Sequence, residues 1–388
     1  MTQSFWGRRI GHFSMSRKSR SRSRTVAFSI LSILALTVAP IVGLTTPAQA
    51  IIPVPSLPLP LPLPLPFGHF YVVNTTVEGS GTGACATGGS CSFVQAVNAY
   101  DADTLTVGYD TIEFSPSLPN PANFLITSPV VIDNPSGISL HINGSGASGT
   151  VITGGLSENQ TYIEINQRAL VSMSNLTVED MHYSSYWQIN IIDSVVALND
   201  VSVLCTGSVD ACESAQTGGI QIVGGAVTGN SLVVAYNRLA PGDGGGGGIE
   251  IQMGGFVLTN STVASNTAAS GGGVYNDAGR LYLLDSDVVG NTAIAYGGGG
   301  VMNVSGSVLT AGGLIQSNVA AVDGGGIANV IAAGPGSPHA LLDCSGTFIN
   351  ANSAGTNGGG VYDDSPLDLL IQVSCPVFAN TPNNIYTA

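Results

Sequence analysis

Two adjacent carboxylates, Asp363 and Asp364, come nearest to a catalytic pair in this sequence. Glycoside hydrolysis uses two carboxyl groups about 5 to 9.5 Å apart, a span that one or two rungs of a stacked sheet also cover. Asp363 lies two residues after Val361, at a position that holds asparagine in earlier repeats, namely Asn276, Asn303 and Asn329. The repeat therefore favours a structural role for Asp363, and the sequence indicates no catalytic residue beyond the candidates Asp363 and Asp364.

Other motifs that carry chemistry are missing or misplaced. Residues 144–149 fit G-x-G-x-x-G, but the strand-like Thr150–Thr153 follows where a dinucleotide site needs a helix. The histidines after residue 50 are scattered, without the paired spacing of a metal site. Two pairs of aspartates could each bind Ca²⁺ weakly: Asp101 with Asp103 in one loop, and Asp285 with Asp287 on one strand face. Neither pair completes a ligand set, so the sequence predicts no metal site and no cofactor.

The first fifty residues have the three regions of an export signal. The basic segment Arg17–Arg24 precedes the apolar segment Val26–Leu44 and the small-residue box Ala48-Gln49-Ala50. An uncleaved anchor is the alternative, but the apolar segment is short for a bilayer span. The sequence predicts a signal peptide over 1–50, a Leu-Pro-rich polyproline II linker over 51–68, an N-terminal cap with the first coils over 69–168, and repeats over 169–388. After removal of the signal we expect no transmembrane segment.

The charge of the chain after residue 50 excludes several partners. It carries 24 acidic residues against three arginines and no lysine, a net charge of −21. Such a surface repels nucleic acids, anionic membranes and acidic polysaccharides. We therefore expect no nucleic-acid partner.

The six cysteines all follow residue 50. An even number in an exported chain favours disulfides over free thiols or a zinc site. Several connectivities are possible, and the spacings suggest three pairs: Cys85–Cys91, Cys205–Cys212 and Cys344–Cys375.

A repeat in the second half of the chain indicates the fold. A tetrad of Val or Ile, two variable residues and Asn recurs six times, with asparagines 29, 25, 27, 34 and 28 residues apart; they are Asn237, Asn266, Asn291, Asn318, Asn352 and Asn380. Runs of glycine ending in an aliphatic residue alternate with these tetrads. A period in the twenties, rich in β-branched residues, predicts a stacked β-solenoid. The frame of a leucine-rich repeat is missing, and a β-sandwich would not keep asparagine at this period.

The repeated asparagines predict a ladder along the solenoid. Each side-chain amide can bond to the same amide one coil away, and asparagine tolerates the left-handed backbone of a turn. Two upstream segments, Val171–Asn175 and Val195–Asn199, align with Phe256–Asn260 and extend the repeat. In that alignment Cys205 occupies the position of Asn266.

The N-terminal stretch resembles a known family. Cys91-Ser-Phe-Val-Gln-Ala96 is similar to the C-S-L-R-E-A box of CSLREA-domain proteins, and Asp110–Pro116 matches their D-T-I-x-F-x-P. The repeats are similar to those of polymorphic outer-membrane proteins, with Val or Ile in place of Phe. The resemblance implies an all-β, single-stranded right-handed parallel β-helix, a pectate-lyase-like solenoid. Residues 93–100 form an amphipathic pattern that suits a short capping helix.

These observations favour a non-catalytic scaffold. We expect a secreted or cell-surface protein, of bacterial type, that binds an extracellular protein or glycan in the manner of an adhesin. The alternative is a polysaccharide-active hydrolase or lyase on a neutral glycan, supported by analogy of fold alone. Three scattered arginines are a poor supply of the basic residues with which a lyase binds uronates.

Overall fold

The computed structural model describes residues 67–82, 85, 89–154, 160–181, 187–206, 217–239, 245–332, 340–364 and 374–388. Contacts divide the chain into residues 1–60 and 61–388, and all described residues belong to the second unit. The predicted signal peptide lies outside the described residues, as do most of the linker, His182, Cys212 and His339.

The first part of the described chain folds into ten strands and one helix. These are β1 (Phe67–Val73), α1 (Phe93–Asp101), β2 (Tyr109–Phe114), β3 (Ala122–Ile126), β4 (Val130–Ile132), β5 (Ser139–Asn143), β6 (Thr150–Gly154), β7 (Ile163–Ile165), β8 (Leu170–Glu179), β9 (Trp187–Ile192) and β10 (Val195–Leu204). β1 begins two residues inside the predicted linker.

The second part consists of short strands that recur in each coil. These are β11 (Gly218–Val223), β12 (Ala226–Asn230), β13 (Val233–Ala235), β14 (Ile249–Gln252), β15 (Gly255–Thr259), β16 (Thr262–Ala264), β17 (Thr267–Ala268), β18 (Val274–Asp277), β19 (Arg280–Leu284), β20 (Asp287–Val289), β21 (Thr292–Ala293), β22 (Val301–Val304), β23 (Ser307–Ala311), β24 (Leu314–Gln316), β25 (Val319–Ala320), β26 (Ile327–Val330), β27 (Leu341–Ser345), β28 (Phe348–Asn350), β29 (Ser353–Ala354), β30 (Val361–Asp363), β31 (Val377–Phe378) and β32 (Ile385–Thr387).

Equivalent strands of successive coils pair in parallel and form three sheets. Sheet 1 has ten strands in the order β4-β7-β9-β11-β14-β18-β22-β26-β30-β32, sheet 2 has 18 strands, and sheet 3 is β17-β21-β25-β29. Within sheet 2, β8 and β10 extend through two columns of shorter strands and join them. The predicted fold is confirmed as a right-handed parallel β-helix of about eight turns.

The core is a stack of aliphatic side chains on the inner faces of the sheets. In sheet 1, one register position is fully buried in eight successive coils, by Ile163, Ile189, Ile220, Ile249, Val274, Val301, Ile327 and Val361. Burial of each such side chain stabilises the fold by about 1.5–3 kcal/mol. The β-branched residues that revealed the repeat are therefore the ones that fill the interior.

The predicted capping helix is present as α1. Ser92 is its N-cap: the Ser92 hydroxyl accepts from the backbone N–H of Gln95, and the Gln95 side chain accepts from the backbone N–H of Ser92. The helix buries Phe93 and Tyr100, and the Tyr100 hydroxyl donates to the carbonyl of Ile138 at 2.9 Å. Gln95 thus completes a capping box at the position where the resembled family has Glu. Among the described residues, no helix is long and apolar enough to cross a membrane.

The upstream alignment of the repeat is wrong by one residue in one coil. Val171 pairs with Val196, whereas Val195 pairs with Leu170. Val196 is buried and Val195 is 40% exposed. Because a shift of one residue exchanges the two faces of a strand, the choice between two adjacent valines decides which one enters the core.

The same shift moves Cys205 away from the predicted ladder position. Leu204 aligns with Ala264 through Ala235, so Cys205 lies opposite Ser265 rather than Asn266. The backbone N–H of Cys205 accordingly donates to the carbonyl of Ala235. Cys205 therefore does not replace an asparagine of the ladder.

Candidate functional site

The six repeated asparagines form a continuous hydrogen-bonded ladder. The backbone N–H and the side-chain Nδ2 of Asn266 both donate to Oδ1 of Asn291, at 2.9 and 3.0 Å. The same two hydrogen bonds join every successive pair of ladder asparagines, from Asn237 at one end to Asn380 at the other. Nδ2 of each also donates to a carbonyl, as Asn291 does to Val263 at 2.9 Å. The ladder therefore ties each coil to both neighbours.

Two residues that the repeat does not reveal close the ladder. At its upstream end Nε2 of Gln188 donates to Oδ1 of Asn237 at 2.6 Å, and Gln188 is buried. At its downstream end Asn380 donates from both its backbone N–H and its Nδ2 to Oδ1 of Asn384. Both residues lie outside the tetrad, so only the folded chain brings them to the ladder.

The left-handed backbone of these turns is at the residue before each asparagine. Tyr236, Ser265, Gly290 and Ser317 have φ of 64°, 56°, 67° and 56°, whereas the ladder asparagines are not among the residues with positive φ. The prediction that asparagine occurs here because it tolerates left-handed φ is therefore wrong. Asparagine is required for its amide, which both accepts and donates.

The glycine runs give the ladder room. A Cβ on Gly273 would lie 2.6 Å from the carbonyl oxygen of Gly300 and 2.9 Å from Nδ2 of Asn291. Gly300 and Gly326 have equivalent contacts with the next two asparagines. The asparagine tetrads and the glycine runs that alternate in the sequence therefore pack directly against each other in the fold.

The two candidate catalytic carboxylates also support the fold. Nδ2 of Asn276 donates to Asn303, Asn303 to Asn329, and Asn329 to Oδ1 of Asp363, which is 2% exposed. Asp364 accepts from the backbone N–H of Ile331 at 2.8 Å, and burial raises the pKa of its carboxyl. Asp363 therefore ends a second ladder, as its repeat position predicts.

Disulfides join two of the predicted cysteine pairs. Cys85 is bonded to Cys91, and Cys344 on β27 is bonded to Cys375 in the following coil. Cys205 is also disulfide-bonded. Its predicted partner, Cys212, lies outside the described residues.

The structure engages three of the four aspartates that were considered for Ca²⁺ in other contacts. Asp285 lies in the turn between β19 and β20 with a φ of 47°, whereas Asp287 begins β20, so the two do not share a strand face. Oδ1 of Asp287 accepts from the backbone N–H of Leu314 at 2.9 Å. Oδ1 of Asp101 accepts from the backbone N–H of Asp133 at 3.0 Å, while Asp103 contacts His69.

Asp101 gives the fold a pH dependence. Burial raises the pKa of its carboxyl from 3.8 to about 7, against the opposing hydrogen bond from Asp133. The folded state therefore holds a proton that the unfolded state has released, so this stabilisation is complete below about pH 4 and is lost as the pH rises through about 7. We expect Asp101→Asn to melt roughly 2–4 °C above the wild type at pH 8 and together with it at pH 4, in thermal unfolding followed by circular dichroism.

The control for this experiment is Asp133→Asn. Asp133 lies beside Asp101 but its side chain is partly exposed, and the substitution keeps the backbone N–H that Asp101 accepts from. Because the charge of Asp133 also raises the pKa of Asp101, the control should reduce the difference in melting temperature between pH 4 and pH 8 without abolishing it, whereas Asp101→Asn removes the whole contribution of Asp101. An Asp101→Asn variant that melts below the wild type at pH 8 would contradict the prediction.

A row of side chains on the outer face of sheet 1 was not foreseen from the sequence. The side chains at one register position of successive strands change from polar at the N-terminal end to mostly aromatic at the C-terminal end. They are Glu164, Asn190, Gln221, Glu250, Tyr275, Met302, Ala328, Tyr362 and Tyr386. We call this set the outer row. With strands about 4.8 Å apart, the row is about 38 Å long.

The polar end of the outer row is internally hydrogen-bonded. Oε2 of Glu250 accepts from Gln221 at 3.3 Å and its Oε1 accepts from Gln252 at 2.7 Å. Burial raises the pKa of Glu250, which is 4% exposed. Asn190 donates to Glu164 at 3.5 Å, and both side chains are partly exposed.

The aromatic end of the outer row has two stacked rings. Tyr362 and Tyr386 lie on adjacent strands with centroids 5.7 Å apart and an angle of 8° between the ring planes. Burial, then the nearby carboxylates of Asp323 and Asp364, raise the pKa of Tyr362. The pKa of Tyr275 is also raised, first by burial and then by the carboxylate of Asp277. Tyr275 and Tyr362 therefore carry neutral hydroxyls at ordinary pH.

Known proteins share only a distant structural similarity with this chain. No protein-family model matches the chain, and no curated protein is detectably similar to it in sequence. Among solved structures it is similar to pectate lyase Pel9A, with 10% identity, a TM-score of 0.46, and coverage of 83% of this chain and 79% of that one. It is also similar to the Dettilon tailspike protein gp208, with 11% identity, a TM-score of 0.37, and coverage of 82% of this chain and 68% of that one. ORF18 of Geobacillus virus E2 is similar with 11% identity, a TM-score of 0.34, and coverage of 71% of this chain and 60% of that one. The resemblance to CSLREA-domain proteins stays a prediction.

Proposed function

We propose that this chain is an extracellular β-helix scaffold, adhesin-like, that binds a neutral glycan at the aromatic end of the outer row without cleaving it. The observation that carries the proposal is the aromatic end of the outer row, where the stacked rings of Tyr362 and Tyr386 lie on adjacent strands. A linear glycan presents apolar ring faces and hydroxyls at regular intervals. Tyrosine suits such a ligand because it has an apolar ring and a polar end.

The charge of the chain supports a neutral ligand. After residue 50 the net charge is −21 and there is no lysine. A Debye length of about 8 Å at physiological ionic strength leaves repulsion intact at contact distance. Uronate polymers should therefore bind less well than neutral glycans.

The carboxylates support binding rather than cleavage. Asp363 is buried in its ladder and Asp364 is hydrogen-bonded to the backbone of the preceding coil. The alternative, a hydrolase or lyase on the same neutral glycan, would draw on Glu250 with Asp277 on the neighbouring strand. Glu250 is covered and accepts from two glutamines, which disfavours contact with a substrate.

The test is a binding screen against immobilised neutral and uronate glycans, with reducing-sugar release measured in parallel. Replacing both Tyr362 and Tyr386 with alanine should weaken binding to the best neutral glycan about tenfold or more, since each ring contributes on the order of 1 kcal/mol. The matched control is Tyr296→Ala, because Tyr296 is 61% exposed and lies outside the outer row. It should leave affinity unchanged.

Three results would overturn the proposal. Equal loss of binding in the control and the double variant would show that the outer row is not the binding surface. Release of reducing sugar, abolished by Glu250→Gln, would establish the enzymatic alternative. Binding of a uronate polymer in the presence of a chelator, stronger than that of any neutral glycan, would refute the choice of ligand.

A further inference from the structure

Three potential metal ligands meet at the N-terminal end of the solenoid, far along the chain from the stacked tyrosines. His69 lies on β1, Asp103 follows α1, and Asp110 lies on β2. One ligand atom from each lies within 4.8 Å of the other two. Nδ1 of His69 is 2.5 Å from Oδ2 of Asp103. An imidazole and two carboxylates form a donor set that divalent transition metals prefer.

The fold holds these ligands in place through their other atoms. Asp110 is fully buried; its Oδ1 accepts from the backbone N–H of His69 at 2.7 Å, and its Oδ2 accepts from the Tyr71 hydroxyl at 3.3 Å. Oδ1 of Asp103 accepts from the backbone N–H of Leu105 at 3.0 Å, which leaves Oδ2 directed at the imidazole. Supporting hydrogen bonds of this kind orient the ligands of metal sites.

The two carboxylates of the cluster favour a bound cation. One carboxylate oxygen of Asp103 and one of Asp110 lie within 4.8 Å of each other, and two carboxylates this close repel each other unless a proton or a cation lies between them. His69 is the one basic side chain in the cluster. The imidazole of His69 is 52% exposed, so solvent and ions reach the cluster from that side.

We propose that His69, Asp103 and Asp110 bind one divalent transition-metal ion, such as Zn²⁺, with water completing the coordination. The ion lies between the two carboxylates and takes Nδ1 of His69 as its nitrogen ligand. Because the three residues belong to β1, the segment after α1 and β2, the ion fixes the first strand of the solenoid to the cap. Metal binding is then stabilising, since a site assembled by folding has no counterpart in the unfolded chain.

The experiment is calorimetric titration of the chelator-treated full chain with ZnCl2, MnCl2, CaCl2 and MgCl2. We expect one Zn²⁺ per chain with a dissociation constant of about 10 µM or lower, weaker binding of Ca²⁺ and Mg²⁺, and a higher melting temperature with Zn²⁺. His69→Gln and Asp103→Asn should each weaken Zn²⁺ binding at least about tenfold. Substitution with Co²⁺ should give a visible absorption spectrum that both variants lose.

His141→Gln is the matched control. His141 is half-buried, packs edge-on against Tyr109 with centroids 5.1 Å apart, and takes no part in the cluster. Its substitution should leave Zn²⁺ affinity and stoichiometry unchanged. No binding of Zn²⁺ at one ion per chain, or binding that His69→Gln and Asp103→Asn do not weaken, would overturn the proposal. If both variants lose stability but not Zn²⁺ affinity, the cluster is a hydrogen-bonded contact of the cap only.

Discussion

Replacing Asn291 with alanine is expected to destabilise the protein by about 3–5 kcal/mol. Oδ1 of Asn291 accepts from both the backbone N–H and Nδ2 of Asn266, and its Nδ2 donates to the carbonyl of Val263. Alanine leaves these three groups buried without their partner, and each buried unsatisfied group costs about 1–3 kcal/mol. Asn291 is fully buried, so water cannot replace the amide without disturbing the coil. Urea unfolding followed by far-UV circular dichroism measures the loss.

Position along the ladder provides the control. Asn380→Ala makes the same chemical change at the downstream end, where the amide is partly exposed and water can reach the groups left behind. Its cost should be about 1 kcal/mol. Asn230→Ala, at an exposed position on β12 outside the ladder, should cost less than about 0.5 kcal/mol. Equal losses at positions 291 and 380 would contradict the view that burial of the ladder determines its contribution.

The fold could be predicted because one physical requirement recurs in every coil. A buried position that must both donate and accept is filled by asparagine each time, from Asn237 onward, and the adjacent close contact admits only glycine. Repetition makes such requirements visible in a single sequence. The same reasoning placed Asp363 at the end of a second ladder, because its distance from Val361 matches that of Asn329 from Ile327.

The upstream register could not be fixed in the same way. Val195 and Val196 are chemically identical, and only the inward direction of Val196 distinguishes them. Nor could the sequence show that the left-handed residue is Ser265 rather than Asn266, since both residue types occur in turns. Where the residue type does not indicate the direction of the side chain or the backbone conformation, the sequence cannot exclude a register shift of one residue.

The candidate sites were missed because no repeat marks them. Successive members of the outer row, such as Glu250 and Tyr275, differ in type, and only strand pairing brings them into line. His69, Asp103 and Asp110 lie on three different segments, and the sequence shows only scattered histidines and an apparent pairing of Asp103 with Asp101. Surface residues are free to vary from coil to coil, so function on a solenoid wall leaves no periodic signal.

Removing the disulfide between Cys344 and Cys375 is expected to release the last coils while the rest of the solenoid stays folded. The two cysteines are 31 residues apart in sequence, and the loss of a cross-link over a loop of that size destabilises by about 3–4 kcal/mol in the chain-entropy model. In a solenoid each coil contacts only its neighbours. The double substitution Cys344→Ala/Cys375→Ala should therefore speed amide hydrogen exchange in β31 and β32 but not in β14.

The disulfide between Cys85 and Cys91 is the matched comparison, because it closes a loop of only six residues. Its removal should destabilise less, by about 2 kcal/mol, and should speed exchange near α1 rather than at the C-terminal coils. Hydrogen exchange read by mass spectrometry resolves the two regions in one experiment. Faster exchange throughout both ends in either variant would mean that the solenoid unfolds as one cooperative unit.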